Sequence, residues 1–187
     1  MIVVGIDEVG RGCWAGPVVA GAVALGEPIE GLRDSKKLSK KRREELTLEI
    51  KEKTLAVGIG WVDAETIDRV GITIAVKMAM QDALDQIKIN YDRVIIDGHI
   101  NFLDNMPKTE ALIKADDLVP AVSAASIVAK VARDDYMAEM SQTYPNYGFD
   151  SHVGYGTAVH SQALKDIGIC KLHRKSFKPI KSMVVEV

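Results

Sequence analysis

The sequence predicts one α/β domain: a central mixed β-sheet flanked by α-helices, with a short basic and helical segment at its C-terminal end, about residues 157–187. Three observations lead there. Of the 187 residues, 47% are hydrophobic, enough for one substantial core. Short β-branched runs come first and then alternate with longer helical patterns. No internal repeat, low-complexity tract or linker divides the chain.

The elements follow in order. Residues 2–6 (IVVGI) and 17–25 (PVVAGAVAL) are rich in small and β-branched residues and read as strands joined by a glycine-rich turn. A third strand covers 55–61, where Leu55, Val57, Ile59 and Trp61 alternate with Ala56, Gly58 and Gly60. Asp63 reads as an N-cap, followed by a short helix and, after Gly71, a longer one over about 73–87. Arg93 to Ile96 forms a short strand stopping at Asp97-Gly98, and 110–114 forms another, stopping before Asp116-Asp117. A long helix runs from Pro120 to about Thr143, with proline where a helix start tolerates it. A last helix spans about 158–166 and ends at Gly168.

The formal net charge is -2, so the whole-molecule field does not announce a polyanionic partner. The local distribution differs. Arg33, Lys36, Lys37, Lys40, Lys41, Arg42 and Arg43 form one basic block opposed only by Asp34, and Lys171, Arg174, Lys175, Lys178 and Lys181 form another. Such runs are ordinarily solvated surface; two in one acidic chain also suit a face that meets phosphates. Cys13 and Cys170 have neither metal-site nor disulfide-framework spacing, which suits a reducing compartment. With no membrane-length apolar run and no secretion-type start, a cytoplasmic, monomeric protein without membrane attachment is expected.

Asp7, Glu8, Asp97 and Asp116 each fall at or just after the end of an apolar strand, the edge where sites collect in open α/β sheets. Any one of them alone is equally a turn or cap carboxylate, and Asp97-Gly98 is an ordinary turn signal. Asp7-Glu8 is harder to read that way, because an apolar strand precedes it and small residues follow. Carboxylates crowded into a poorly solvated spot repel one another unless a cation intervenes. An all-oxygen set suits Mg²⁺ or Mn²⁺, and His99, His152, His160 and His173 have no paired ligand spacing. Gly10 and Gly12 flank Arg11 and leave main-chain groups open to a sugar or phosphate; a tight turn would use the same glycines.

Several stretches, taken together, resemble type 2 ribonuclease H, ribonuclease HII. They are GIDEVGRG (5–12), AGPVV (15–19), DSKKLS (34–39), Asp97-Gly98, KADD (114–117) and SAASIVAKVARD (123–134). Tyr144-Pro145, YGF (147–149), GYGT (154–157) and HRKSF (173–177) continue the same order, so the resemblance spans about residues 2–179. It implies an RNase H-like fold and an endonuclease that hydrolyses the RNA strand of RNA-DNA hybrids. It also implies cleavage on the 5′ side of a single ribonucleotide in duplex DNA, leaving 3′-hydroxyl and 5′-phosphate ends.

Carried over by position, the resemblance makes Asp7, Glu8, Asp97 and Asp116 the ligands of two divalent ions, with Asp117 the rival for the last place and Asp134 structural. Gly10, Arg11 and Gly12 match the segment that senses the 2′-hydroxyl. Tyr155 matches the tyrosine that stacks on the sugar after the ribonucleotide. Lys36 and Lys37 are expected at phosphates, with the C-terminal basic segment adding to the grip. Three stretches depart from common forms of the motifs: Cys13-Trp14 puts an indole in the glycine loop, His99 stands where asparagine is frequent, and Ala115 replaces a glycine. The alternatives are a DNA-cutting metal nuclease of the same superfold, which has no use for a 2′-hydroxyl sensor, and a binding module, which has no use for four acids.

Overall fold

The computed structural model describes residues 1–184. Its single sheet has five strands in the order β3-β2-β1-β4-β5. Strands β1 (Val3–Val9), β2 (Val18–Leu25) and β3 (Thr54–Val62) form an antiparallel meander, and β4 (Arg93–Asp97) and β5 (Thr109–Leu112) add to β1 in parallel. The mixed sheet expected from the sequence is therefore present. The first strand reaches three residues further than its apolar run, through Asp7 and Glu8, because their backbones remain paired with Gly21 and Ala20 of β2.

Helices cover both faces. Helix α1 (Lys40–Lys53) and the long α5 (Pro120–Thr143) lie on one side; α2 (Ala64–Val70) and α3 (Ile72–Asp85) lie on the other. Asp63 caps α2 as expected, accepting from the Thr66 N–H at 2.7 Å. Strand alternation divides β1 between the two cores. Val4 and Ile6 pack with Val76, Ala79 and Met80 of α3, whereas Gly5 abuts the α5 backbone so closely that a Cβ there would collide with Ala121 and Val122.

Helix α1 has no counterpart in the sequence reading. Its sequence, KKRREELTLEIKEK, is charged almost throughout, and only Leu46, Thr47 and Ile50 are buried, so the amphipathic signal is weak. What defines it is local: Ser39 accepts from the Arg42 N–H at 3.2 Å, and Lys53 pairs with Glu49 one turn earlier at 2.7 Å. Beyond Arg33, the first basic block is thus divided between a 3-10 turn (Ser35–Lys37) and the first turn of α1.

Short helices α4 (Ala115–Leu118) and α6 (Phe149–His152), then α7 (Ala158–Ile167) and α8 (Ile180–Val184), complete the chain. Residues 185–187 of the expected C-terminal segment lie outside the described residues. A third cluster, with Ala15, Met137, Tyr147, Phe149 and Ala163, joins this segment to the glycine turn after β1. Leu55, Val57 and Trp61 leave an exposed apolar stripe on β3 that the sequence reading does not single out. No helix among the described residues is long and apolar enough to cross a membrane.

Candidate active site

The parallel pairing of β1 with β4 sets the site. Their ladder ends at Ile6 opposite Ile96, so Asp7 and Asp97 are the next residue on each strand, at the same edge of the sheet. Asp116 arrives by a different route. The chain passes from β5 through Lys114, whose φ of 58° is left-handed, into α4, where the Asp116 N–H lies 3.4 Å from Asp97 Oδ1. The sequence reading has Asp116 just beyond a strand; β5 in fact ends at Leu112, and the α4 turn carries the acid back to the edge.

Asp7 and Glu8 are adjacent in an extended strand, so their side chains leave on opposite faces. Asp7 turns towards Ser126 of α5 and also accepts the Glu8 N–H at 2.8 Å, while Glu8 faces Arg11 at 3.7 Å. Among the described residues, no three histidine, cysteine, aspartate or glutamate side chains meet at metal-ligand distance. The acids nevertheless act on one another. Burial first, then the charges of Glu8 and Asp97, hold Asp7 well above the ordinary carboxylate range. Burial also raises Glu8, with Asp97 adding to it, and burial followed by Asp97, Asp34 and Asp117 raises Asp116. This is the behaviour of a desolvated set of like charges. Its donors are all hard oxygens, so the residues present fit a divalent ion of the Mg²⁺ or Mn²⁺ type.

A cleft of about 360 Å³ opens beside these acids. Asp7, Glu8 and Val9 border it on one side, Ser35 and Lys36 on another, and Ser126, Lys130 and Tyr155 on a third. Lys36 faces the acids and favours the charged forms of both Glu8 and Asp116. Lys37 is engaged elsewhere: its ammonium lies 2.6 and 2.8 Å from the two carboxylate oxygens of Asp117. That pair ties the 3-10 turn to α4 and gives Asp117 a task distinct from that of Asp116. The second basic block is also apart from the acids. Lys171 and Lys175 share a groove with Glu65 and Asp68, and Asp68 accepts from the N–H groups of Lys175 and Ser176, both at 2.8 Å.

The glycine turn is held by two arginines that the sequence reading did not mark as site residues. Arg133, fully buried, donates to the carbonyls of Pro17, Val153 and Ala15 at 2.9, 2.8 and 3.1 Å. Arg174, also fully buried, donates to Gly16 and Arg11 at 3.0 Å each, and its Nη2 has no partner among the described residues. Nothing in the sequence distinguishes a buried arginine from an exposed one; their place in the motifs SAASIVAKVARD and HRKSF was the available signal. Gly10 answers to Arg133. Its φ is 86°, and a Cβ would collide with Arg133 Nε. Gly12 is different: its φ is not left-handed, and among the described residues a Cβ would meet nothing within 4 Å. Packing gives no reason for glycine there, which leaves room for a ligand as the reason.

Tyr155 lies across the cleft from Ser35 and Lys36, with 39% of its surface exposed. Lys130 and Arg133 sit 5.8 and 6.0 Å from its ring centre, and its hydroxyl faces the Cys13 thiol. Burial of that hydroxyl pushes it up to about 12, so Tyr155 offers a neutral ring rather than a titrating group. The indole of Trp14 does not fill the loop as its sequence position suggests. It packs against Gly156, where a Cβ would collide with it, and lies 5.4 Å from the His160 ring. Asp134 joins two walls of the cleft, accepting from Lys130 at 2.8 Å and lying 3.9 Å from Arg43 of α1.

Comparison with known proteins identifies the family. The family model described as Ribonuclease HII matches residues 4–180. A curated relative named Ribonuclease HII, from Coxiella burnetii (strain Dugway 5J108-111), is 47% identical over 186 residues, covering 98% of this chain and 91% of its own. Among solved structures, the ribonuclease H2 from Pyrococcus horikoshii OT3 superposes with a TM-score of 0.84 at 26% identity, over 100% of this chain and 98% of that one. The structure of the PCNA:RNase HII complex from Archaeoglobus fulgidus gives 0.80 at 28% identity, over 95% and 96%. With its mixed five-stranded sheet, acids at the β1/β4 edge and family match over nearly its whole length, the chain belongs to the ribonuclease HII family, endoribonuclease hydrolases with an RNase H-like fold.

Proposed function

We propose that the chain is a metal-dependent endoribonuclease that cuts the RNA strand of RNA-DNA hybrids and cuts on the 5′ side of a lone ribonucleotide in duplex DNA. Asp7, Glu8, Asp97 and Asp116 would hold two divalent ions, Mg²⁺ or Mn²⁺. The chemistry that such a pair supplies is Lewis-acid neutralisation of charge on both sides of an in-line displacement at phosphorus. The observation that carries the reading is the elevation of Asp7, Glu8 and Asp116, each raised by burial and by the charge of Asp97, at the end of two parallel strands, a set whose charge a divalent cation would relieve.

The remaining roles belong to the chain's own groups. Lys36 meets a phosphate beside the acids. Gly12, open on its side-chain face, lets the main chain around Arg11 approach the ribose 2′-hydroxyl. Tyr155 stacks on the next sugar, its ring steadied by Lys130 and Arg133 behind it. The C-terminal segment reaches Tyr155 through the Thr157 N–H, which donates to the Tyr155 carbonyl at 2.9 Å, and works on the substrate through it.

The test is a labelled DNA duplex with one ribonucleotide, beside an all-RNA hybrid and an all-DNA duplex, with Mg²⁺, with Mn²⁺ and with chelator. Metal-dependent cutting 5′ of the ribonucleotide with all-DNA untouched is expected. Cutting of the hybrid alone would remove the roles given to Gly12 and Tyr155, and cutting of all-DNA would point to a DNA nuclease of the same superfold.

A further inference from the structure

Three of the four histidines lie together beneath the turn that carries Tyr155, all buried, and no step above uses them. His152 stacks on His160 with ring centres 4.4 Å apart and 11° between planes, and His160 Nε2 lies 3.0 Å from His173 Nε2. Their proton positions follow by elimination. The Tyr155 carbonyl, 2.9 Å from His160 Nδ1, can only accept, so Nδ1 carries the hydrogen. A neutral His160 then has a bare Nε2, and the facing His173 Nε2 must donate to it. His173 Nδ1 is therefore bare and accepts the Cys170 N–H at 2.8 Å, rather than donating to the Cys170 carbonyl at 3.3 Å.

The result is a one-way chain of hydrogen bonds from Cys170 through His173 and His160 to the main chain of Tyr155. His152 completes the support. It lies 2.7 Å from the Tyr147 carbonyl and accepts the Gly154 N–H at 3.2 Å, and its own carbonyl accepts the Tyr155 N–H at 2.9 Å. The Tyr155 N–H is thus taken by the His152 carbonyl, and the Tyr155 carbonyl accepts from both His160 Nδ1 and the Thr157 N–H, at 2.9 Å each. Residues 153 and 154 before it have positive φ, 45° and 86°, a backbone that surrounding contacts must hold, and the His160 imidazole supplies one from outside the turn. Burial and neighbouring rings hold His160 low and His173 at about 4, which agrees with neutral rings.

We propose that His160, oriented by His173, is the positioning residue that sets Tyr155 for recognition of a ribonucleotide followed by DNA. The inference rests on the role given to Tyr155 under the proposed function. The carbonyl's second donor, beside the Thr157 N–H, stands at the place of Nδ1, which the side-chain amide of asparagine reproduces and the longer one of glutamine does not.

The readout is the ratio of kcat/KM on the single-ribonucleotide duplex to that on the all-RNA hybrid, since any effect on the shared acids cancels. His160→Gln is expected to lower the ratio at least about threefold with the hybrid rate kept, and His160→Asn to restore it to within about twofold of wild type. In a Tyr155→Ala background, His160→Gln should change the ratio no further. An unchanged ratio in His160→Gln, or equal loss on both substrates, overturns the proposal. Should these variants fail to fold, the imidazole nitrogen shifts of the wild-type protein decide: the hydrogen must be on Nδ1 of His160, and an Nε2–H form overturns it. Wild-type protein that cuts neither substrate would instead overturn the ribonuclease reading itself.

Discussion

Asp7→Asn should abolish cleavage and yet make the metal-free protein more stable. Asp7 is 8% exposed, follows an apolar strand, and feels the negative charges of Glu8 and Asp97. Its folded pKa is raised, so the unfolded chain releases the Asp7 proton more readily than the fold does. At neutral pH the ionised carboxylate therefore works against folding, and that penalty fades as pH falls. Asparagine removes the charge but keeps an oxygen for the Glu8 N–H, and its amide can turn to Ser126. Relief of strain at an active-site charge commonly yields about 0.5–2 kcal/mol. For a domain of this size each kcal/mol moves Tm by about 2–4 °C. Divalent metal reverses the order, because an ion at a hundred times its Kd adds about 2.7 kcal/mol to a protein that binds it only when folded. Calorimetry of both proteins with chelator and with Mg²⁺ measures all four states. A metal-free Asp7→Asn that melts below wild type, or one that metal stabilises as strongly as wild type, would refute the account of Asp7 as a desolvated ligand.

Gly10→Ala and Gly12→Ala should separate architecture from contact. The first, with its left-handed backbone and Arg133 in the way, should cost about 1–3 kcal/mol in urea unfolding. The second should leave stability within about 0.5 kcal/mol while slowing cleavage at a lone ribonucleotide. Lys36→Ala should weaken hybrid binding and reduce the salt slope by about one, whereas Lys37→Ala, losing a partner of Asp117, should leave the slope nearly unchanged. Acid should act through the histidines. His173 titrates at about 4 in the fold and nearer its ordinary value when unfolded, so the unfolded chain takes up the proton first. Stability is expected to decline as pH falls from about 6.5 towards 4, and His173→Gln should flatten that part of a Tm-against-pH curve.

Much of the fold was legible because it rests on local pattern. The β-branched runs, the Asp63 cap, Pro120 at the start of α5 and Gly168 at the end of α7 each depend on residues within one turn of one another. Helix α1 was not legible, since its apolar face is only a few residues wide. The acids were legible as strand-end carboxylates, and the motif resemblance sorted them from the other aspartates. Their relation in space was not, because the in-register pairing of β1 with β4 joins segments some ninety residues apart.

By itself, then, the sequence determined the family, the class of fold and which acids to watch, all of which are carried by residue identity and short spacing. Tertiary structure alone decided that Lys36 faces the acids while Lys37 closes on Asp117, and that Gly10 makes way for Arg133 while Gly12 stays open. It also decided that Arg133, Arg174 and three histidines lie buried under the turns they support. The physical reason is common to all of these. Whether a charged or titratable side chain meets solvent, substrate or a main-chain carbonyl depends on what distant segments the fold brings against it, and no local pattern encodes that.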